Sequence, residues 1–150
     1  MRDINIKIGF TLLELMIVIA IISFLSIIAV PNLMKFLAKA KRTEAYINLS
    51  SLAMAEKAYF AENGKYTTNI ATDLNWAPEG NYNYTYGFSS GSANNSYFIG
   101  KLNTPPSNLA TITADGFIIC ATADIDGDGK PDVISINQNN EIKIVEDDLI

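Results

Sequence analysis

Between residues 124 and 132 the chain reads Asp124-Ile-Asp126-Gly-Asp128-Gly-Lys130-Pro-Asp132. Its carboxylates fall at positions 1, 3, 5 and 9 of an EF-hand-like count, with Gly129 at position 6 for the sharp turn. Oxygen ligands at that spacing wrap a hard cation such as Ca²⁺, and clustered carboxylates repel one another unless one is bound. The pattern departs at position 12, where Ser135 replaces the bidentate glutamate, and the flanking residues read as strands rather than helices. Two readings stand. Asp124, Asp126, Asp128 and Asp132 hold Ca²⁺ and staple the last two strands to the one before, or they form a hydrated hairpin turn, for which Asp and Gly are ordinary residues. A second acid in an unusual setting is Glu14, the single charged side chain in the apolar run from Phe10 to Val30. A carboxylate near a bilayer centre costs about 2.5–3.5 kcal/mol, so an intramembrane acid is a functional candidate. The plainer reading is that Glu14 sits shallow and reaches headgroups or water. Other chemistry is excluded by composition. The chain has no His, which removes His-based triads, zinc sites and proton shuttles. Its one Cys, Cys120, allows no intrachain disulfide and reads as a small buried hydrophobe in a strand. With no nucleophile–base pair and no phosphate loop, an enzyme is not expected.

The element that positions Glu14 is the 21-residue run FTLLELMIVIAIISFLSIIAV, ending at Pro31. At 1.5 Å per residue it spans roughly 31 Å, the thickness of a bilayer core. The apolar core of a cleaved secretory signal is shorter and ends in a small-residue site. Lys35, Lys39, Lys41 and Arg42 follow the run and Arg2 and Lys7 precede it. The positive-inside bias alone would therefore place the C-terminal side in the cytoplasm.

The octapeptide Gly9-Phe10-Thr11-Leu12-Leu13-Glu14-Leu15-Met16 resembles the prepilin processing motif of type IV pilins and of their relatives, the type II secretion pseudopilins. The likeness continues without a gap to Pro31, through Asn32-Leu33-Met34-Lys35-Phe36, and to the Ala-Tyr-Phe-Ala-Glu-Asn-Gly-Lys-Tyr stretch at 58–66, about 65 of 150 residues. It implies that residues 1–9 are a cytoplasmic leader, and that a prepilin peptidase cuts after Gly9 and methylates the new amine of Phe10. The rest of the chain then lies outside the inner membrane, against the charge bias. Loss of Arg2, Asp3 and Lys7 would leave 141 residues with a net charge of −6. It also implies that a subunit's Glu14 pairs with the Phe10 amine of a neighbour, which relieves the burial of both charges and fixes axial register. In the family the stretch before Pro31 often loses helicity in the filament. Here Ser23 stands where many relatives have Gly, and Ser weakens a helix less.

Downstream, residues 31–64 read as the amphipathic half of one long spine helix that starts at residue 10. No Gly or Pro interrupts it after Pro31, and Asn63-Gly64 supplies a stop. Leu33, Leu37, Ala40, Ile47, Met54, Ala58 and Ala61 fall on one face, an imperfect stripe interrupted by Glu44 and Ser51. Two helices broken at Pro31 are the alternative. Residues 65–80 form a connecting loop. In 81–88, Tyr82, Tyr84, Tyr86 and Phe88 alternate with Asn83, Thr85 and Gly87, a strand whose aromatic face packs on the helix. Further strands are expected at 97–102, 110–113, 116–122, 132–137 and 141–145, an antiparallel head over 81–150. Charge divides the chain: residues 32–65 carry net +3 and 66–150 net −8. That split suits either two solvated surfaces or basic helix faces meeting acidic heads of adjacent subunits. An overall charge of −5 argues against phosphate-neutralising nucleic-acid binding.

The expected fold class is α+β, a long N-terminal helix packed on a C-terminal antiparallel sheet. The expected role is a type IV pilus subunit that polymerises with itself, anchored in the inner membrane as a precursor and extracellular once assembled. Its partners would be the prepilin peptidase and the pilus or secretion machinery, with no cofactor required beyond the Ca²⁺ option. The alternatives are a type II secretion pseudopilin and, in another class, a single-pass anchored domain that binds calcium or another ligand.

Overall fold

A computed structural model describes residues 9–148, so all of the expected leader except Gly9 lies outside the described residues. Helix α1 runs from Leu12 to Asn63. Thr11 caps it: the Thr11 Oγ1 accepts from the Glu14 N–H (3.2 Å), while Glu14 Oε2 accepts from the Thr11 N–H (2.9 Å) and hydroxyl (2.7 Å). This is the reciprocal N-terminal box that satisfies otherwise orphaned backbone donors. Pro31 lies inside the helix. Residues 23–31 are helical here, and Ser23 and Ser26 donate back to the carbonyls of Ile19 and Ile22. The C-terminal stop is Gly64, at φ 68°, whose N–H donates to Phe60 O at 2.8 Å.

The chain divides into two compact units, one ending at Phe36 and one starting at Leu37. In the first, every described side chain is exposed, Leu12, Phe24 and Ile27 included. The second holds the core. Six antiparallel strands follow the helix: β1 (Thr85–Gly87), β2 (Tyr97–Phe98), β3 (Thr111–Ile112), β4 (Phe117–Ala123), β5 (Asp132–Asn137) and β6 (Ile142–Glu146). The sheet order is β2-β1-β4-β5-β6, with β3 also pairing with β4. Register sets Ile119 opposite Ile136 and Ala121 opposite Ile134. These four are fully buried with Phe117, Leu49, Leu52, Tyr84 and Tyr86.

Three strands are shorter than the sequence suggests: β1 within the expected 81–88, β2 within 97–102 and β3 within 110–113. Tyr82 and Asn83 leave the ladder because other groups claim their backbone. Glu44 accepts from the Asn83 N–H, and the 100–102 segment donates to the Tyr82 and Asn83 carbonyls. β2 ends at Phe98 because the chain turns at Gly100, where a Cβ would lie 2.1 Å from Asn83 O. The aromatic face itself forms: Tyr84, Tyr86 and Phe88 are all fully buried. Thr85, on the opposite face, is buried as well, because its hydroxyl donates to Thr104 O at 2.6 Å and accepts from the Gly100 N–H.

Candidate functional site

The helix face that meets the sheet is not the apolar stripe. Ala38, Arg42, Ala45, Leu49, Leu52, Ala53 and Glu56 are buried. Leu37, Ala40, Ile47, Met54, Ala58 and Ala61 are exposed, with Ile47 at 65% and Met54 at 64%. At about 100° per residue, Ile47 stands roughly 200° from both Ala45 and Leu49, so the two sets occupy opposite sides. Size explains the choice. Alanines at 38, 45 and 53 let the helix approach a sheet face crowded by Tyr84, Tyr86 and Phe88. The larger apolar residues are left facing outward.

The polar residues of the buried face are each engaged by the sheet or loops. Arg42 reaches Asp132 with two bonds, Nε to Oδ2 at 3.0 Å and Nη2 to Oδ1 at 2.5 Å, and a third bond from Nη2 goes to Asp147. Asp132 is fully buried and also accepts the Tyr84 hydroxyl at 2.6 Å. Burial works against the charge on Arg42, but the bonds to Asp132 and Asp147 outweigh it and push its pKa up. This network ties the helix to the start of β5 and to the C-terminal residues, the pinning that a disulfide would otherwise supply. Two residues on, at the flank of the helix, Glu44 accepts from the Asn83 N–H (2.8 Å), the Asn83 amide (2.6 Å) and the Tyr86 hydroxyl (3.0 Å). Much of the helix's basic charge is therefore used within the subunit: Lys41 also donates to Ile125 O and Lys57 to Asn140. Cys120 is buried in β4, where burial pushes its thiol up to about 11.

The acidic turn forms between β4 and β5. Asp124 closes it by accepting from the Gly127 N–H at 2.7 Å and the Gly129 N–H at 3.0 Å. Gly127 and Gly129 both take positive φ, 84° and 90°, which explains the glycines at those places. Asp124, Asp126 and Asp128 converge as the spacing predicts, but the fourth carboxylate beside them belongs to Asp148, not Asp132. One oxygen from each of these four lies within 4.8 Å of the others. Asp132 is held away by Arg42 and Tyr84. Asp148 Oδ2 accepts the Ile125 N–H at 2.7 Å, so the last described residue is fastened to the turn. Burial, then the charges of Asp126 and Asp128, raise the Asp148 carboxyl above its usual range. Two oxygens on opposite sides of a Ca²⁺ ion, each about 2.3–2.6 Å away, stand roughly 4.6–5.2 Å apart, so this hard-oxygen set fits such an ion. Sequence reasoning missed Asp148 because it lies far along the chain. The signal was the acidic pair Asp147-Asp148 after the last strand, which splits between Arg42 and the turn.

The residues expected to take part in processing and assembly, Gly9, Phe10, Glu14 and Pro31, belong to the first unit. Gly9 and Phe10 are exposed, and Phe10 and Glu14 belong to the unit whose side chains are all exposed. By length and composition α1 is able to cross a membrane. Fold and surface together define a class: an α+β subunit whose N-terminal helix offers apolar surface that only lipid or other chains can cover. Residues 5–30 match the family model described as the prokaryotic N-terminal methylation motif. The chain is 39% identical over 119 residues to the type IV major pilin protein PilA of Myxococcus xanthus, covering 79% of this chain and 54% of that protein. It is 37% identical over 90 residues to the type IV wide pilus major component PilA4 of Thermus thermophilus, covering 57% and 66%. Over 58 residues it is 45% identical to the type II secretion system core protein G of Pectobacterium carotovorum, covering 39% and 37%. The chain thus spans from about a third to two thirds of the length of these curated relatives. It belongs to the type IV pilin family, to which the type II secretion core proteins are related.

Proposed function

We propose that this protein is the structural subunit of a type IV pilus. A prepilin peptidase would cut it after Gly9 and methylate Phe10, and it would then assemble with copies of itself through the N-terminal helix. The observation that carries this reading is the inverted helix. Large apolar residues, Ile47 and Met54 among them, face outward from the second unit, and residues 10–36, predominantly apolar, are all exposed. A bilayer covers the first stretch in the precursor. In a filament, neighbouring helices cover both, with Glu14 paired to a neighbour's Phe10 amine. Localisation follows: inner membrane first, cell surface after assembly. Mass spectrometry of the mature N-terminus is the test. N-methyl-Phe10 is the expected species, and an intact Met1 overturns the reading in favour of a non-polymerising anchored domain.

A pseudopilin of a type II secretion system is the second reading, favoured by the 45% identity to core protein G. The pilus reading is preferred because the likeness to PilA extends over 119 residues and so beyond the helix. Long filaments on cells, against short or absent ones, separate the two. We also propose that the acidic turn takes Ca²⁺ through Asp124, Asp126, Asp128 and Asp148. The ion would add to the pinning of the C-terminal residues, and calorimetry with millimolar Ca²⁺ reads it directly.

A further inference from the structure

Glu56 is a carboxyl in an unusual place. It lies on the sheet-facing side of α1 and is fully buried. Its Oε2 accepts the Thr67 N–H at 3.3 Å, and its Oε1 has no hydrogen-bond partner among the described residues. Leaving a buried carboxylate oxygen unpaired is costly when the group is charged and tolerable when it is neutral. Glu56 is also the side-chain link from the helix to the start of the 65–76 segment. From Thr67 the bonding passes outward: the Thr67 hydroxyl donates to Asp73 at 2.6 Å and accepts from the Asn69 N–H. Ala71 N–H donates to Asn95 O, and the Trp76 indole donates to Ser51 Oγ at 2.9 Å. Ile70 is buried in the core. The segment is therefore anchored at one end by a carboxyl whose burial and unpaired Oε1 favour the neutral form and outweigh the Thr67 N–H bond, which favours the charged one.

We propose that docking of residues 65–76 onto helix α1 is controlled by the protonation of Glu56: the neutral carboxyl holds the segment down and the carboxylate releases it. Among the described residues, no cation acts on Glu56 to rescue the charged form. From the loop, Asp73 adds a like charge, while Lys65 acts on Asp73 and holds that exposed carboxyl down together with the Thr67 hydroxyl. From the sheet, the inward side chains Phe117, Ile119, Ile134 and Ile136 are apolar, and Asp132 is committed to Arg42. On the same helix face, Leu49, Leu52 and Ala53 are apolar, and Arg42 lies fourteen residues away, roughly 21 Å along the axis. Lys57 is engaged with Asn140. Burial, opposed by the Thr67 N–H bond and helped by a smaller push from Asp73, raises the Glu56 pKa from 4.5 to about 7. An undocked, solvated carboxyl ionises near the lower value, so docking is strongest below about 4.5 and weakens as pH rises towards 7. Between about pH 5.5 and 8.5 the docking equilibrium falls by about 30-fold.

The test is hydrogen–deuterium exchange on the full chain in detergent micelles, read as protection factors that remove the intrinsic pH dependence of exchange. Amides of residues 67–76 should lose about 30-fold in protection from pH 5.5 to 8.5, while β4 and β5 hold theirs. Glu56→Gln keeps an acceptor for the Thr67 N–H and cannot ionise, so its protection should be the same at both pH values. A ¹³C carboxyl titration of Glu56 in the unmodified chain gives a readout independent of any variant. Equal protection at both pH values in the unmodified chain, an unchanged pH response in Glu56→Gln, or a Glu56 midpoint below about 5 would each overturn the proposal.

Discussion

Replacing Arg42 by Met tests how the head is locked to its helix. Met keeps the apolar stem that lies against the sheet and deletes the guanidinium. Asp132 then sits fully buried with the Tyr84 hydroxyl and a long contact from the Asp148 N–H (3.4 Å), and without an ion-pair partner among the described residues. Stranding a buried charge in this way costs about 3–5 kcal/mol, several times the value of an exposed pair. Domain stabilities are themselves about 5–15 kcal/mol, so the loss is at least about a fifth of the whole. For a unit of this size it corresponds to a fall in Tm of roughly 10–25 °C. The chain's one Trp is a suitable reporter, since Trp76 packs edge-on against Tyr86 and Phe98 and bonds to Ser51. Thermal unfolding of the full chain in micelles, followed by Trp fluorescence, gives the number. The double variant Arg42→Met/Asp132→Asn strands no charge and should be more stable than the single one. A cost below about 1 kcal/mol for Arg42→Met, or a double variant no better than the single, would refute the buried-clamp argument and return the pair to the class of solvated ion pairs.

Four further outcomes follow from the same geometry. Glu14→Ala should insert into the membrane and fail to assemble; normal amounts of surface filament would count against the Glu14–Phe10 pairing. Met54→Glu changes an exposed position, so Tm should move by less than about 0.5 kcal/mol equivalent while filament yield collapses; unimpaired filaments would remove that face from the assembly surface. Asp124→Asn should abolish any Ca²⁺-dependent rise in Tm, and the absence of such a rise in the unmodified chain at millimolar Ca²⁺ would end the calcium proposal. Glu56 has a folded pKa above its unfolded value, so its contribution is full below about pH 4.5 and is lost as pH rises to about 7. Subtracting the Glu56→Gln profile from that of the unmodified chain should leave a decline of about 2–3 kcal/mol across this window, and a flat difference would contradict it.

The sequence was most readable where local chemistry decides structure. β5 falls on the expected 132–137, because alternating apolar residues between a Pro131 start and a Gln-Asn-Asn turn leave few alternatives. The helix stop at Asn63-Gly64 and the turn at Asp124–Gly129 are likewise set by residues within a few positions. Three features were hidden because they depend on contacts far apart in the chain. Asp132 looked like a metal ligand by count, but Arg42, ninety residues earlier, claims it. Asp148 replaces it only because β6 carries the chain back past the turn. The sheet-facing side of α1 could not be chosen from apolar spacing, since both faces carry hydrophobic residues and the deciding property is the small size of Ala38, Ala45 and Ala53.

That choice of face bears on assembly. Had Ile47 and Met54 packed on their own sheet, the subunit would have a larger private core and an outward face carrying Arg42 and Glu56. Such a face is costly to bury against other helices, because each charge would need a partner supplied by another chain in correct register. The observed arrangement gives both of those charges a partner inside their own subunit, through Asp132 and Asp147 and through Thr67, and Glu44, which flanks the outward stripe, is tied to Asn83 and Tyr86. The outward face is left uncharged at Ala40, Ile47, Met54 and Ala58, where contact between copies requires no matching of ions. Under the proposed assembly, specificity of stagger would fall on the few charges left in apolar surroundings, chiefly Glu14. A substitution that adds a second charge to the outward face should therefore disturb register as well as yield. Met54→Lys with a compensating acid one repeat away would rescue filament formation only at a stagger that brings the two together.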